Sequence, residues 1–222
     1  MLSGPSFVPP VVKKVVILCH GYGADGEDLM GIVPYLAQSM PDTAFFAPNG
    51  IKQMPYGGYE WFSLDDYSPA DMISIDYLDK LVGRCKEPAE EIRTLIGQVQ
   101  AKYSLTDGDI VLAGFSQGAL LAIYTALTHP YPLAGVVGFS SVPIVFAGSL
   151  HADAIKRHIP ILLTHGTADE VIPAEAMELS MGELQKVGQS PKSFLASGLG
   201  HGINEACLDQ MIYFIDGLFP TK

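Results

Sequence analysis

The sequence predicts an α/β fold, with one mostly parallel central sheet and helices on both of its faces. Three observations carry this expectation. Strand-like and helix-like runs alternate along the 222 residues. Several strand-like runs are continuously apolar, as parallel strands covered on both faces must be. The third is Gly114-Phe115-Ser116-Gln117-Gly118, which lies between such a strand and a helix-like run. The length suits one domain, residues 1–222, with a substantial core.

The elements follow in order. Lys13 and Lys14 lead into a first strand at 15–19, and residues 29–40 then read as a helix. A second strand is expected at 44–47. The stretch from 48 to about 75 is the least regular, rich in Gly, Pro, Tyr and Asp. A loop this long in a compact domain is usually functional, and we expect it to lie over one end of the sheet. In 76–103, Leu78, Leu81, Val82, Ile92, Leu95, Ile96 and Val99 recur at helical spacing. Pro88 should interrupt or restart that helix. A strand at 110–114 and a helix at 117–129, stopped by Pro130, flank the serine. Strands at 135–139, 161–165 and 193–196 and helices at 174–187 and 205–219 complete the alternation. No stretch is long enough to form a large separate cap domain, and there is no internal repeat.

Composition narrows the function classes. With 48% hydrophobic residues the chain is globular rather than disordered. A formal net charge of −11 excludes nucleic acid as an expected partner, because phosphate neutralisation needs clustered Lys and Arg. It also disfavours adsorption to anionic lipid. The first ten residues carry no basic side chain, and the 15–19 strand is far too short to cross a bilayer, so a cytoplasmic protein without stable membrane insertion is expected. Cys19, Cys85 and Cys207 are scattered, as thiols of a reducing compartment would be. No His or Cys pair has ligand spacing and no HExxH occurs, so neither a metal nor another cofactor is expected.

Gly-x-Ser-x-Gly between a strand and a helix is the context of a nucleophile elbow. The turn is so tight that side chains two positions either side of the serine would collide, and Gly114 and Gly118 remove them. In isolation the pattern also fits an ordinary strand-to-helix turn, since the chain has 23 glycines. A serine needs a base, and the base an anionic partner that orients it. In this chain order the acid comes next and the histidine last. The strand at 161–165 runs into Gly166-Thr167-Ala168-Asp169-Glu170. Asp169 is the candidate acid, with Glu170 as a neighbour left open. Among the six histidines, only His201 follows the last strand and precedes the last helix. It lies in Gly200-His201-Gly202, whose glycines let the loop return over the sheet. His165, at the end of a strand, reads as a structural turn residue. Two backbone N–H groups should face the oxyanion. Gln117 opens a helix and has an unpaired N–H. Tyr22 lies in the glycine-rich loop His20-Gly21-Tyr22-Gly23, which lacks the Lys-Ser/Thr of a phosphate-binding loop.

With these pieces in view, the chain resembles the bacterial carboxylesterase, phospholipase and acyl-protein thioesterase family of α/β-hydrolases over nearly its whole length, residues 15–219. The matching segments are His20-Gly21-Tyr22-Gly23, Trp61-Phe62, Gly114-Phe115-Ser116-Gln117-Gly118, the run from His165 through Asp169 to Pro173, and Gly200-His201-Gly202-Ile203. The resemblance implies the α/β-hydrolase fold and a triad of Ser116, Asp169 and His201, with Tyr22 and Gln117 as oxyanion donors. It implies a serine hydrolase that cleaves carboxylic esters of small to medium acyl chains through an acyl-enzyme. Acyl-protein thioesterase or lysophospholipase activity is the alternative within the class, and a non-catalytic binding protein of the same fold lies outside it. The partner implied is a small-molecule ester; a homodimer is compatible with everything in the sequence. Two departures concern the pocket. The family usually has Leu where this chain has Tyr22, which makes one wall larger and more polar. Its Leu-Ser-Gly after the next strand reads Phe139-Ser140-Ser141 here. Candidate pocket residues are Trp61, Phe62, Val142, Ile144 and Phe146, which serve equally well as core or rim. The family's acyl-site loop corresponds roughly to residues 69–75 here, and the resemblance implies that Met72, Ile73 and Ile75 either touch an acyl chain or anchor the following helix.

Overall fold

The computed structural model describes residues 2–66, 74–148, 150, 155 and 157–219. Seven strands form the main sheet: β1 (Ser6–Phe7), β2 (Lys14–Cys19), β3 (Thr43–Phe46), β6 (Ile110–Phe115), β7 (Gly135–Phe139), β8 (Ile161–Gly166) and β9 (Lys192–Ala196). Their order across the sheet is β1-β3-β2-β6-β7-β8-β9. Only β1 runs antiparallel to its neighbour; every other pairing is parallel. The six strands expected from the sequence are all present within a residue or so at each end. Each central strand divides its side chains between two cores. Val15, Ile17, Ile110, Leu112, Val136 and Leu163 point into one cluster. Val16, Leu18, Val111, Ala113, Val137 and Leu162 point into the other. This is the period of two, apolar on both faces, that made those runs legible.

Helices cover both faces. On one lie α3 (Ile75–Arg84), α4 (Lys86–Tyr103), α5 (Gln117–Thr128) and α6 (Glu175–Lys186). On the other lie α1 (Gly26–Met30), α2 (Val33–Ser39) and α7 (Glu205–Leu218). One expectation needs correction, and the expected restart of the long helix near Pro88 is observed. The helix expected at 29–40 is a pair of short ones, begun by the Asp25 carboxylate capping the Glu27 and Asp28 amides and restarted with Pro34 in the first turn of α2. The long run at 76–103 is likewise two helices, meeting at Cys85. Pro88 explains the position. In a continuous helix its ring would strike the carbonyl of Arg84, four residues back, and Arg84 is where α3 ends. In the first turn of α4 its missing N–H costs nothing.

The irregular excursion holds a small hairpin unforeseen from the sequence: β4 (Lys52–Gln53) paired antiparallel with β5 (Tyr59–Glu60). At two residues each, these strands are too short to show a periodicity.

Candidate active site

The site assembles at the carboxyl ends of β2, β6, β8 and β9. Ser116 follows β6 with φ 54° and ψ −115°, a conformation rarely adopted by a residue with a side chain. Its N–H donates to Phe139 O at 2.9 Å, fastening the turn to the end of β7. The flanking glycines are needed for the expected steric reason, with one refinement. A Cβ on Gly114 would stand 2.2 Å from Gly118 O, so the elbow folds onto itself there. A Cβ on Gly118 would stand 2.1 Å from Cys19 O and 2.4 Å from His20 O. The obstacle on that side is the neighbouring strand β2, not the elbow.

Asp169 sits three residues beyond β8, its carboxylate without solvent exposure. One oxygen, Oδ1, accepts the Val171 and Ile172 N–H groups, each at 2.9 Å. The other, Oδ2, accepts from His201 Nδ1 at 2.8 Å and lies 3.3 Å from His165 Nε2. Burial pushes the Asp169 pKa up, but the Ile172 amide, His201 and the Val171 amide together outweigh it and hold the carboxyl below its ordinary range. Glu170, left open by the sequence, is exposed and makes no such contact among the described residues. The loops bearing Asp169 and His201 are joined directly. Ala168 N–H donates to Leu199 O at 2.9 Å and Gly198 N–H to Thr167 Oγ1 at 2.8 Å. The Phe115 ring packs against the His201 imidazole, centroids 4.7 Å apart. The residue before Ser116 thus flanks the histidine that the carboxylate holds. His165 does make the turn bond expected of it, to Ile172 O at 2.8 Å, and it also faces Asp169.

Ser116 and His201 open on one cleft of about 430 Å³, within the roughly 300–1,000 Å³ of small-molecule sites. Tyr22 and Gln117 line it as well, and neither backbone N–H has an acceptor among the described residues. Of the candidate pocket residues, Phe62 and Val142 line the cleft. Trp61 does not. It is fully buried, its indole N–H donating to His20 O at 2.8 Å, and its ring packs on His20. Ile144 is in the core, Phe146 stands outside the cleft, and Ile75 is an exposed first residue of α3. Met72 and Ile73 lie outside the described residues. Leu64, Leu81 and Ile172 also line the cleft and were missed. Leu81 was hidden in the apolar stripe of its helix. Ile172 had a signal: an apolar residue three positions after a candidate catalytic acid.

The Tyr22 side chain, the departure from the family pattern, is at the mouth. Burial, then the nearby Glu60 and Asp65 carboxylates, raise its pKa above that of an ordinary tyrosine. Glu60 is itself buried and bonded to Lys52 Nζ at 2.6 Å.

A parallel sheet that presents a strained serine, a buried carboxylate–histidine pair and free backbone amides at one end defines an α/β-hydrolase. The sequence comparisons agree. The phospholipase/carboxylesterase family model matches residues 10–218, and the chain belongs to that family. It is 27% identical to acyl-protein thioesterase 1 of Neurospora crassa, over 93% of this chain and 87% of that protein. It is 25% identical to acyl-protein thioesterase 1 homolog 1 of Dictyostelium discoideum, over 94% and 92%. Among solved structures, esterase PE8 superposes with a TM-score of 0.86 at 32% identity, covering 98% of this chain and 99% of that one. Arabidopsis thaliana SOBER1, at 20% identity, shares the fold with a TM-score of 0.74 over 93% and 99%. The chain is therefore a hydrolase of an esterase and thioesterase family. Among the described residues, no helix is long and apolar enough to cross a membrane.

Proposed function

We propose that the protein is a carboxylesterase acting on neutral esters of small to medium acyl chains through a Ser116–His201–Asp169 triad. The observation that carries this reading is the Asp169–His201 hydrogen bond of 2.8 Å on the same cleft as a serine at positive φ. His201 Nδ1 donates to the carboxylate, which leaves Nε2 free to take the Ser116 proton. The Ser116 oxygen attacks the acyl carbonyl, and the Tyr22 and Gln117 N–H groups receive the oxyanion. His201 returns the proton to the leaving alcohol, and water repeats the cycle to release the acid. The carboxylate, held ionised by the N–H groups around it, stabilises the imidazolium that forms in both steps.

The apolar walls contributed by Phe62, Leu64, Leu81, Val142 and Ile172 suit an acyl chain. The names of the two thioesterase relatives support a second reading, thioester cleavage on acylated proteins. The triad serves either. The deciding experiment is an acyl-length series of p-nitrophenyl esters beside an S-acylated peptide and a lysophospholipid. Turnover peaking on short and medium esters supports the carboxylesterase; a steep preference for long acyl chains on the peptide supports the thioesterase. The triad itself is tested by Ser116→Ala. It should fold normally, lose on the order of 10⁶ in kcat and no longer react with a fluorophosphonate probe. Undiminished turnover in that variant removes Ser116 from the mechanism.

A further inference from the structure

The two candidate oxyanion donors stand on different loops, Tyr22 after β2 and Gln117 after β6. The sheet aligns the strand ends, with Cys19 opposite Gly114, but both loops leave it before the donors are reached. One segment, Gly50 to Phe62, touches both.

On the Gln117 side the contact is the side-chain amide, which is buried and engaged at both ends. Oε1 accepts the Trp61 N–H at 2.9 Å, and Nε2 donates to Phe62 O at 2.8 Å. On the Tyr22 side there are four contacts. The Trp61 indole donates to His20 O at 2.8 Å. The Gly50 N–H donates to His20 Nε2 at 2.8 Å. Gly23 N–H donates to Tyr59 O at 2.9 Å, and Tyr59 N–H donates to Ala24 O at 2.7 Å. The seat is tight, since a Cβ on Gly58 would stand 2.0 Å from Gly23 O.

These contacts also set the direction of the Tyr22 N–H. Because Gly50 donates to Nε2, that nitrogen must be an acceptor, so Nδ1 carries the His20 proton. Nδ1 in turn donates to Gly21 O at 2.7 Å. Gly21 C=O and Tyr22 N–H belong to one planar trans peptide and point in opposite directions. Pinning the carbonyl against His20 therefore aims the amide the other way, while the bond from Gly23 fixes the next peptide.

We propose that the 50–62 segment is a brace across the oxyanion hole, with the Gln117 side-chain amide and Trp61 as positioning residues that hold the two donors at a fixed separation. The inference rests on the reading of Ser116 as nucleophile given above. It assigns Trp61 a role in the reaction without contact to substrate. A brace of this kind acts on an interaction made only when the carbonyl oxygen gains charge, so its loss lowers kcat and leaves KM in place.

The test uses Gln117→Met, which keeps the backbone donor and about the same volume but removes both side-chain bonds, and Trp61→Phe, which keeps a ring without the indole N–H. kcat, KM and the affinity for a trifluoromethyl ketone, whose serine adduct carries an oxyanion, are measured for each folded variant. The expected result is a fall of roughly 10- to 100-fold in kcat, less than the full loss of a donor. Inhibitor affinity should fall by a matching factor, with KM within about twofold of wild type on this account of transition-state binding. If Gln117→Met does not fold, Trp61→Phe decides. Wild-type kcat and inhibitor affinity in a folded variant, with or without a lower melting temperature, overturns the brace. So does a rise in KM at constant kcat, which makes the segment a substrate wall. Wild-type protein that is not labelled at Ser116 by a fluorophosphonate sinks the underlying mechanism instead.

Discussion

Asp169→Asn separates orientation from charge, because every group around the carboxylate is an N–H donor. Oδ1 takes two backbone amides, and Oδ2 takes His201 Nδ1 and faces His165 Nε2. An asparagine must turn its NH₂ toward one of these pairs. Turned toward Val171 and Ile172, it leaves two peptide donors unpaired, at about 1–3 kcal/mol for the buried Ile172 amide and less for the part-buried Val171 amide. Peptide N–H groups cannot change character. Turned toward His201, it needs only that the imidazole move its proton from Nδ1 to Nε2, at the further loss of the longer His165 contact. The second orientation is the cheaper one, and it inactivates the base: an Nε2 that already carries a proton cannot accept one from Ser116. The same change in other Ser-His-Asp enzymes lowers kcat by on the order of 10⁴, about 5 kcal/mol of transition-state stabilisation. The assay is steady-state hydrolysis of a p-nitrophenyl ester, with circular dichroism to establish the fold. A folded Asp169→Asn variant within tenfold of wild type would refute the tautomer argument and, with it, the place of Asp169 in the triad.

Three further outcomes follow from the same geometry. Gly118→Ala should lower stability by about 1–3 kcal/mol or more, as overpacked cores do, because its methyl meets the Cys19 and His20 carbonyls of β2 and the loop after it; a melting temperature equal to wild type would show that the elbow and strand can separate. Burial lowers the His20 pKa despite the opposing influence of the Gly21 carbonyl, Asp25 and Asp28, so on acidification the unfolded chain binds this proton first. Stability should therefore decline as pH falls from about 6.5 toward the lowered folded value, and His20→Gln should flatten that part of a denaturant-midpoint series. For Asp169, whose folded pKa is lowered, the stabilisation is present above the unfolded value and disappears as pH falls through the folded one, so the stability gap between wild type and Asp169→Asn should narrow below about pH 4.

The parts of this molecule that could be read from the sequence are those governed by short-range rules. Strands buried on both faces announce themselves as apolar runs, and β2, β6, β7 and β8 are such runs. Chain order and glycine spacing brought Ser116, Asp169 and His201 forward as candidates, since each stands just past a strand whose carboxyl end faces the cleft. Trp61 and Ile75 were drawn toward the pocket for different reasons. Trp61 is a large apolar residue in an irregular region, where hydrophobicity does not distinguish a residue facing substrate from one facing the core; Ile75 came from the resemblance to an acyl-site loop, and its side chain is exposed at the start of α3. What decides for Trp61 is the indole N–H bonded to a carbonyl 41 residues away in the chain, a partner that no periodicity reveals.

The same blindness to long-range polar contacts hid the role of the 48–75 region. Its length and its Gly, Pro and Tyr content mark it as functional, and the natural expectation is a surface that meets substrate. Between residues 48 and 66 its contacts divide into two sets. Phe62 and Leu64 do face the cleft. The residues before them spend their hydrogen bonds on His20, Gly23, Ala24 and the Gln117 side chain instead. The division has a consequence for Tyr22. Its amide is aimed by contacts that belong to the brace, whereas its phenol stands at the mouth near Glu60, a residue of the same hairpin. A leucine in its place would leave the peptide geometry to His20 and Tyr59 unchanged while opening the mouth. On the proposed mechanism selectivity and rate are carried by different atoms of one residue, so a side-chain change at Tyr22 is expected to shift acyl preference without disturbing the proposed oxyanion donor.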